Sequence, residues 1–243
     1  MSARFALGVA GALAGLAALG SRRGSTAHRR GLGRFGAVSE RARATGLFER
    51  SRFNALYASL QGLLGGMVTD GWDVMPFDGS SYTESFEYEA WADSPRMGLE
   101  HLGWGAFRSV FDVGRGRVVK IDHGHGGIDP DGFIVWNGEP SGANLVEWDL
   151  WAAATPKQRE HLVPTLDVDR VGGGRWIVME KTVPLATWDS DDQGGSSARM
   201  LAASRLIPDD TRQAARSLGI PDSEVNPYNL DARFRLLDYG TRG

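Results

Sequence analysis

The sequence predicts an α+β fold, because strand-like segments come first and helical segments follow them. Two pairs of short apolar runs flank glycine-rich turns, a pattern that is typical of β-hairpins. The pairs are Arg108–Val113 with Arg117–Ile121, around residues 114–116, and Val163–Val168 with Arg175–Met179, around residues 172–174. Helices are predicted after them at 198–206 and 210–218. A chain of 243 residues is long enough for one such domain with an extension.

The composition is that of an ordinary globular protein, with 42% hydrophobic and 23% charged residues. The chain has no cysteine, which excludes disulfides and thiolate metal sites. Only three of its 27 basic residues are lysines. A lysine in a chain that otherwise uses arginine favours a position where an ammonium group is needed.

The first twenty residues contain an uncharged apolar segment, Phe5–Gly20, made mostly of Ala, Gly and Leu. At 16 residues it falls just short of the roughly 17–25 that cross a bilayer. Three interpretations stay open: a short membrane helix, the core of a signal peptide, or a helix packed on protein. The signal-peptide interpretation is the weakest, because no clear cleavage site follows.

An Arg-rich arm follows at 21–52, with nine arginines and two glutamates. Such a stretch indicates contact with phosphate, either of nucleic acid or of an anionic membrane, or else a solvated linker. If the preceding segment spans a membrane, the arginines place the rest of the chain on the cytoplasmic side. A protein partner is also compatible with such an arm.

Between the arm and the strands, the pattern predicts one helix and one irregular connection. Apolar residues recur at helical spacing from Phe53 to Leu64, which indicates a packing helix that ends at Gly65-Gly66. Residues 67–96 are aromatic and acidic and are interpreted as a connection. The predicted divisions are therefore 1–20, 21–66, 67–96, 97–184 and 185–243.

A glycine-rich turn, Gly103-Trp-Gly105, leads into the first strand, which carries Arg108 and Val110. Glycines let backbone N–H groups approach phosphate oxygens, because no Cβ stands in the way. Lys120 lies inside the second strand of that hairpin, where an ammonium group needs an anionic partner. Glu147 supplies a carboxylate on a helix predicted at 143–154.

Two further motifs complete a set that resembles the protein-kinase-like superfamily. Trp176–Glu180 is similar to the strand that enters the hinge, and Asp238-Tyr239-Gly240 is similar to D-F-G. Together with the glycine-rich turn, Lys120 and Glu147, they occur in the superfamily's order over about three-fifths of the chain. The resemblance implies a kinase-like fold in which an antiparallel-sheet lobe precedes a reduced helical lobe.

The resemblance also implies ATP and Mg²⁺ as ligands and assigns a role to each matching residue. Gly103, Gly105, Arg108 and Val110 would lie over the nucleotide, while Glu180 would mark the hinge that faces adenine. Lys120 would pair with the phosphates and Glu147 would orient it. Asp238 and Asn229 would hold the metal, because carboxylate and amide oxygens suit Mg²⁺.

The sequence departs from the superfamily's pattern at two of these positions. Arg108 stands where the loop has its third glycine, so its side chain either contacts phosphate or faces solvent. The catalytic loop has two registers, Glu224 with Asn229 or Asp222 with Asn226, and the first keeps the D-x-x-x-x-N spacing. A glutamate in place of aspartate moves the carboxylate oxygen by more than about an ångström, a displacement that can cost about a hundredfold in rate.

Two classes of function follow. The first is a kinase-like ATP- and Mg²⁺-binding protein, with phosphotransfer to a protein or small-molecule hydroxyl that is weakened or lost. The printed sequence ends three residues after Gly240, so no activation segment is expected and efficient phosphorylation of a protein is not expected. The second is a non-catalytic structural or interaction protein that reuses the fold in a membrane, virion or nucleic-acid assembly.

A metal site in the Gly-rich loop at 122–142 is a weaker alternative. The loop contains two histidines and three aspartates, although without the spacing of a regular metal site, and a solvated loop is the expectation. These residues are Asp122, His123, His125, Asp129 and Asp131.

Overall fold

The computed structural model describes residues 33–70, 85–94, 98–105, 107–128, 134–186 and 202–240. The chain divides into two units, Met1–Thr45 and Gly46–Gly243. All contacts given below lie within the second unit. The predicted apolar segment at 5–20 and the first part of the Arg-rich arm, 21–32, lie outside the described residues, whereas residues 33–52 of the arm are helical.

The fold is of the mixed α+β class, built on an antiparallel sheet of five strands. Across the sheet the order is β1-β2-β3-β7-β6, and a separate hairpin is formed by β4 and β5. The strands are β1 (Glu100–Trp104), β2 (Arg108–Gly114), β3 (Arg117–Asp122), β4 (His125–Ile128), β5 (Ile134–Trp136), β6 (Thr165–Val168) and β7 (Trp176–Glu180). The helices are α1 (Gly33–Thr69), α2 (Phe86–Asp93), α3 (Ala143–Ala153), α4 (Pro156–Arg159) and α5 (Asp209–Ser217).

Both faces of this sheet are covered, and the side chains of β3 and β7 alternate between them. Val119 and Ile121 belong to one buried cluster, whereas Val118 belongs to the other. On β7, Trp176 belongs to the same cluster as Val119, and Ile177 belongs to the same cluster as Val118. Because successive side chains of a strand point to opposite faces, the sheet separates two apolar cores.

Helices α1 and α2 cover the face that carries Val119. Six apolar residues of α1 recur at three- and four-residue spacing and are buried: Phe53, Leu56, Tyr57, Leu60, Leu64 and Met67. The indole N–H of Trp176 donates to Asn54 Oδ1 at 2.8 Å, which fixes the helix on the strand. At the surface of the same helix, Arg50 forms a bidentate ion pair with Asp167 on β6, at 2.9 Å. The charge of Arg50 is therefore already neutralised within the fold.

Helix α3 and the C-terminal segment cover the opposite face. The loop after β5 reaches α3 through Gly142, whose φ of 81° is a left-handed conformation that favours glycine. Beyond α5, Leu236 forms backbone bridges with Leu162 and Leu230. These bridges bring the segment that carries Asp238 back against the sheet.

The two predicted hairpins, the helix at 143–154 and the helix at 210–218 are confirmed by the structure. Three predictions are wrong in detail. Helix α1 continues past Gly65-Gly66 to Thr69, and Met67 extends the apolar face that the helix buries against the sheet. The connection predicted at 67–96 contains α2, and the loop at 122–142 contains the β4–β5 hairpin.

The predicted division at residue 66 lies inside α1, whose residues from Gly46 onward belong to the same unit as the sheet. Of the helix predicted at 198–206, residues 202–204 are helical, and residues 187–201 lie outside the description. In the part of the chain that is described, no helix is long and apolar enough to cross a membrane.

Candidate functional site

A buried ion pair joins the central strand β3 to helix α3. Lys120 Nζ donates to the two carboxylate oxygens of Glu147 at 3.0 and 3.3 Å. The Glu147 side chain is fully buried, and that of Lys120 is 9% exposed. Charges this deeply buried require partners, because each has lost its hydration. The structure thus brings together the two residues that the sequence had predicted to pair.

Arg108, the first residue of β2, reaches into the same cluster. Its Nη1 donates to Glu147 Oε2 at 2.5 Å and to Asn144 Oδ1 at 3.2 Å, and its Nη2 donates to Asp238 Oδ1. Only 5% of Arg108 is exposed, so the interpretation of this side chain as solvent-facing is wrong. The Asp238 side chain, at 43% exposed, forms the open end of the cluster.

The backbone next to Asp238 holds Lys120 from the other side. Lys120 Nζ also donates to the carbonyl oxygen of Leu237 at 2.5 Å. Leu237 N in turn donates to the carbonyl oxygen of Asn229 at 2.8 Å. Leu237, the residue before Asp238, therefore links the segment that contains Asn229 to the strand that contains Lys120.

The two residues after Asp238 fix its segment to the fold. Tyr239 is fully buried, and its hydroxyl donates to the carbonyl of Val163 at 2.9 Å. Gly240 packs against the backbone of Ala143, at the start of α3, so closely that a Cβ would collide with the Ala143 carbonyl. The position of Asp238 is thus coupled to the helix that carries Glu147.

Protonation follows from this packing. Burial, and then the charge of Arg108, lower the pKa of Lys120 to about 8, although Glu147 opposes both effects. Burial alone would raise the pKa of Glu147, but the charges of Arg108 and Lys120 outweigh burial and hold that pKa below its ordinary value. Glu147 is therefore ionised at neutral pH. Lys120 is still mostly protonated there, but it loses its proton nearer to neutral pH than an ordinary lysine does.

The glycine-rich turn forms a tight connection between β1 and β2. Gly105 N donates to the carbonyl of Arg108 at 2.8 Å. Gly103 has a φ of 149° and pairs with Val110 across a bulge in the strand. A Cβ at either glycine would meet no atom of the described residues within 4 Å, so close packing among those residues does not require glycine here. Val110, opposite Lys120 in the register, packs on the second apolar core.

Glu180 closes β7 at the predicted hinge. Its carboxylate accepts a hydrogen bond from Arg235 Nη2 at 3.0 Å, and its N–H donates to the carbonyl of Pro164 at 3.0 Å. The side chain of Glu180 is thereby committed to the turn at 231–235. The adenine contact that the sequence predicts would therefore fall to the backbone of this segment.

The predicted catalytic loop forms two short 3₁₀ turns, Asp222–Glu224 and Pro227–Asn229. The structure brings Glu224 and Asn229 together, since Asn229 Nδ2 donates to Glu224 Oε2 at 2.9 Å. Asp222 instead lies at the surface, where Arg216 donates to both of its oxygens at 2.8 and 2.9 Å. Asn226 caps the second turn by accepting from the N–H of Tyr228. This arrangement favours the register that pairs Glu224 with Asn229.

The weaker metal alternative in the loop at 122–142 gains no support from the geometry. Asp122 is buried, and its carboxylate accepts from the hydroxyl of Ser141 at 2.5 Å and from the N–H of Gly124 at 2.7 Å. His123 Nε2 forms a hydrogen bond with Ser109 Oγ at 2.8 Å. Within the described ranges, no group of three or more histidine or carboxylate side chains has the geometry of a metal site. Asp129 and Asp131 lie outside those ranges.

Asn144 is a member of the cluster that sequence reasoning missed. Its Oδ1 accepts from Arg108, and its Nδ2 donates to the carbonyl of Gly174 at 2.8 Å, so it ties the cluster to the turn before β7. One signal could have found it. Asn144 lies three residues before Glu147 on the same helix, and side chains at this spacing share a face.

The completed cluster contains two cations, two carboxylates and one amide, drawn from β2, β3, α3 and the segment after Leu237. Arg108 and Lys120 share the buried carboxylate of Glu147, and Arg108 also contacts the partly exposed carboxylate of Asp238. Guanidinium and ammonium groups are able to bind phosphate oxygens. The chain matches no model of a known protein family, no curated protein and no solved structure. Any function therefore has to be argued from this geometry.

Proposed function

We propose that this chain is a kinase-like nucleotide-binding protein whose phosphotransfer is weakened or lost. The observation that carries the proposal is the buried Lys120–Glu147 ion pair, which joins the third strand of an antiparallel sheet to the helix that follows it. Protein kinases use a lysine and a glutamate on these two elements to hold the α- and β-phosphates of ATP. The strand order β1-β2-β3-β7-β6 supports the same comparison, because it places Lys120 at the centre of the sheet.

The proposed nucleotide lies between the glycine-rich turn and the Lys120 cluster. The turn that contains Gly103 and Gly105 lies at the end of β1, next to the strand that carries Arg108, and would therefore lie over the proposed phosphates. The Gly105 N–H is already donated to the carbonyl of Arg108. The adenine would lie toward the end of β7, beside the backbone at Glu180. Arg108 and Lys120 supply the positive charge that a triphosphate needs.

Two features support weakened or lost phosphotransfer. Glu224 replaces the aspartate of the catalytic loop, and one of its carboxylate oxygens already accepts a hydrogen bond from Asn229, which competes with an acceptor hydroxyl. Asp238 and Asn229 are the residues that would hold Mg²⁺, which would neutralise phosphate charge. As arranged, Asp238 does not fit the metal, since Arg108 donates to its carboxylate. The Asn229 amide nitrogen donates to Glu224 and leaves the amide oxygen as the atom that would face a metal.

The charge balance of the cluster favours a second candidate. Two cations and two carboxylates already neutralise one another without any ligand. A non-catalytic structural or interaction protein could keep such a cluster only to stabilise the fold. In that case the Arg-rich arm would supply the binding, with nucleic acid, an anionic membrane or a protein as partner.

Calorimetric titration of ATP into the full chain distinguishes the two candidates. The nucleotide-binding proposal expects saturable binding that Lys120→Met removes. Lys181→Met is the matched control, because Lys181 is the same residue type but pairs with Asp112 at the surface. It should bind ATP as the wild type does.

The absence of binding by folded wild type at millimolar ATP would refute the nucleotide-binding proposal. Equal weakening by both lysine substitutions would also refute it, because that result indicates non-specific charge attraction. Binding that survives Lys120→Met would place the nucleotide elsewhere on the chain.

A further inference from the structure

Arg108 is the residue whose position departs most from the proposed nucleotide site. It occupies the position of the third glycine of the loop, yet its guanidinium lies inside the cluster and donates to Glu147, Asn144 and Asp238. An arginine carries its charge at every accessible pH. A fixed positive charge is therefore in direct contact with Asp238, the carboxylate that would otherwise hold a metal.

The register of the sheet explains why Arg108 points inward. Val110 pairs with Lys120 and Arg108 pairs with Asp122, so Arg108 lies two residues from Val110 on the same face as Lys120. Strand alternation and the hydrogen bond to Asn144 hold the side chain from two sides. The contact with Asp238 is thus built into the strand, and it does not depend on a flexible surface side chain.

A divalent cation and Arg108 compete for the same carboxylate. Within hydrogen-bonding distance of Asp238, a metal would add two positive charges beside a guanidinium that itself adjoins Lys120 through Glu147. Like charges at this range repel, and the buried guanidinium has little water of its own to screen that repulsion. A phosphate group has the opposite effect, because it presents the same kind of anionic oxygens to Arg108 that Asp238 presents.

We infer that Arg108 takes the place of the metal, so that this site binds nucleotide phosphates without a divalent cation. The inference rests on the proposed nucleotide-binding function. Phosphate oxygens exchange for the Asp238 carboxylate on the guanidinium, at the exposed end of the cluster, while Glu147 and Asn144 keep the arginine in position. Arg108 and Lys120 then neutralise the phosphates together.

The test compares ATP affinity in excess EDTA with that in excess Mg²⁺, for the wild type, Arg108→Gln, Arg108→Lys and Asp238→Asn. For the wild type, the dissociation constants for ATP in EDTA and in Mg²⁺ are expected to agree within about threefold. A tenfold difference would correspond to a metal contact of about 1.4 kcal/mol. Arg108→Gln should bind at least about tenfold more weakly in EDTA and should regain affinity with Mg²⁺. Arg108→Lys keeps a cation and should stay close to wild type in EDTA.

Asp238→Asn gives the sharpest contrast. A metal-dependent site would lose affinity with this change, whereas the inferred site should bind ATP in EDTA as tightly as the wild type or more tightly, because a competing anion is removed. Asp238 is partly exposed, so this variant is expected to fold. Wild type that needs Mg²⁺ for binding, or Asp238→Asn that loses binding in EDTA, would overturn the inference and leave the nucleotide-binding proposal intact.

A titration with Mn²⁺ alone tests the same contact without nucleotide. Wild type should show no saturable Mn²⁺ site, whereas Arg108→Gln should gain one that the added change Asp238→Asn removes. Saturable Mn²⁺ binding by wild type that Asp238→Asn abolishes would overturn the inference even if ATP does not bind. If Arg108→Gln does not fold, this measurement on wild type and Asp238→Asn still decides the point.

Discussion

Replacement of Glu147 by glutamine tests whether the buried cluster is held together as the structure indicates. Glu147 accepts three hydrogen bonds from two cations and is fully buried. The amide of glutamine keeps the size of the side chain but removes the charge that Arg108 and Lys120 share. Removal of one partner from a buried ion pair costs about 3–5 kcal/mol, and we expect Glu147→Gln to lower the free energy of unfolding by that amount.

Two companion substitutions set the scale for this value. Lys120→Met leaves Glu147 Oε2 paired with Arg108, but it removes the donor to Glu147 Oε1 and to the carbonyl of Leu237, so its cost should be smaller, about 1–3 kcal/mol. Asp238→Asn acts at the exposed end of the cluster, where an ion pair contributes about 0–1 kcal/mol. The expected order of destabilisation is therefore Glu147→Gln, then Lys120→Met, then Asp238→Asn.

Urea unfolding of the full chain, followed by tryptophan fluorescence, measures all three. The slope of the transition with urea should stay constant, which shows that only stability has changed. The deficit of Glu147→Gln should also shrink as the pH rises from about 6 to 8, because Lys120 can then release its proton in the folded variant. A Glu147→Gln cost below about 1 kcal/mol, or a larger cost for Asp238→Asn, would refute the reasoning from burial.

Three further expectations concern binding and packing. Above about pH 8 the affinity for ATP should fall, by up to about tenfold per pH unit, because the pKa of Lys120 is about 8 in the free protein and phosphate requires the protonated amine. Gly240→Ala should destabilise the fold by about 1–3 kcal/mol in urea unfolding, since the new methyl group meets the Ala143 carbonyl. Leu60→Ala should cost about 2–5 kcal/mol by the same measurement, because its side chain is fully buried between α1 and the sheet.

Each of these expectations has its own control. The pH dependence of ATP affinity should move to higher pH in Arg108→Gln, since the charge of Arg108 lowers the pKa of Lys120; an unchanged profile would assign the titration to another group. Gly66→Ala, in α1 with open space for a Cβ, should be close to neutral or stabilising, in contrast to Gly240→Ala. Val171→Ala, at a fully exposed side chain, should change stability by less than about 0.5 kcal/mol, and a cost equal to that of Leu60→Ala would contradict the assigned core.

The sequence was sufficient for the central hairpins and for the Lys120–Glu147 pair. A short glycine turn at 114–116 allows only a narrow range of connections, and the apolar runs beside it fix which residues belong to β2 and β3. Helix α3 follows from its own apolar spacing. Once a lysine lies inside a central strand and a helix with a carboxylate follows it, burial leaves few other partners for the ammonium group.

Helix α2 was not predicted, because the aromatic and acidic composition of residues 67–96 indicated a connection and outweighed the local signals of a helix. Ser85 caps the helix by accepting from Tyr88 N, and Glu87 and Glu89 lie in the first turn, where carboxylates are favourable. These features are readable from the sequence. Tyr88 and Trp91 pack into the core beside α1. This packing is a tertiary contact, and the apolar periodicity of an eight-residue helix does not predict it.

The inward direction of Arg108 could have been predicted, whereas its contacts could not. With β2 and β3 paired across the turn at 114–116, strand alternation places Arg108, Val110 and Lys120 on one face. The contact with Asp238 joins residues 130 positions apart and depends on how the C-terminal segment returns along Leu162 and Leu230. That return is set by tertiary packing, for which the sequence gives no local signal.

The coverage of both sheet faces has a consequence for how the cluster responds to a ligand. In β3, Val119 and Ile121 pack against the core beneath α1, while Lys120 faces the cluster, so the strand is held from both sides. Movement of Lys120 toward a ligand would therefore disturb a close-packed layer, which is costly. Asp238 is the partly exposed member, and among the polar contacts described for its side chain it is held by Arg108 alone. A ligand that enters this site is thus expected to displace the Asp238 carboxylate and to leave the Arg108–Glu147–Lys120 core in place, so that binding selects for an anion that replaces a carboxylate and against a cation.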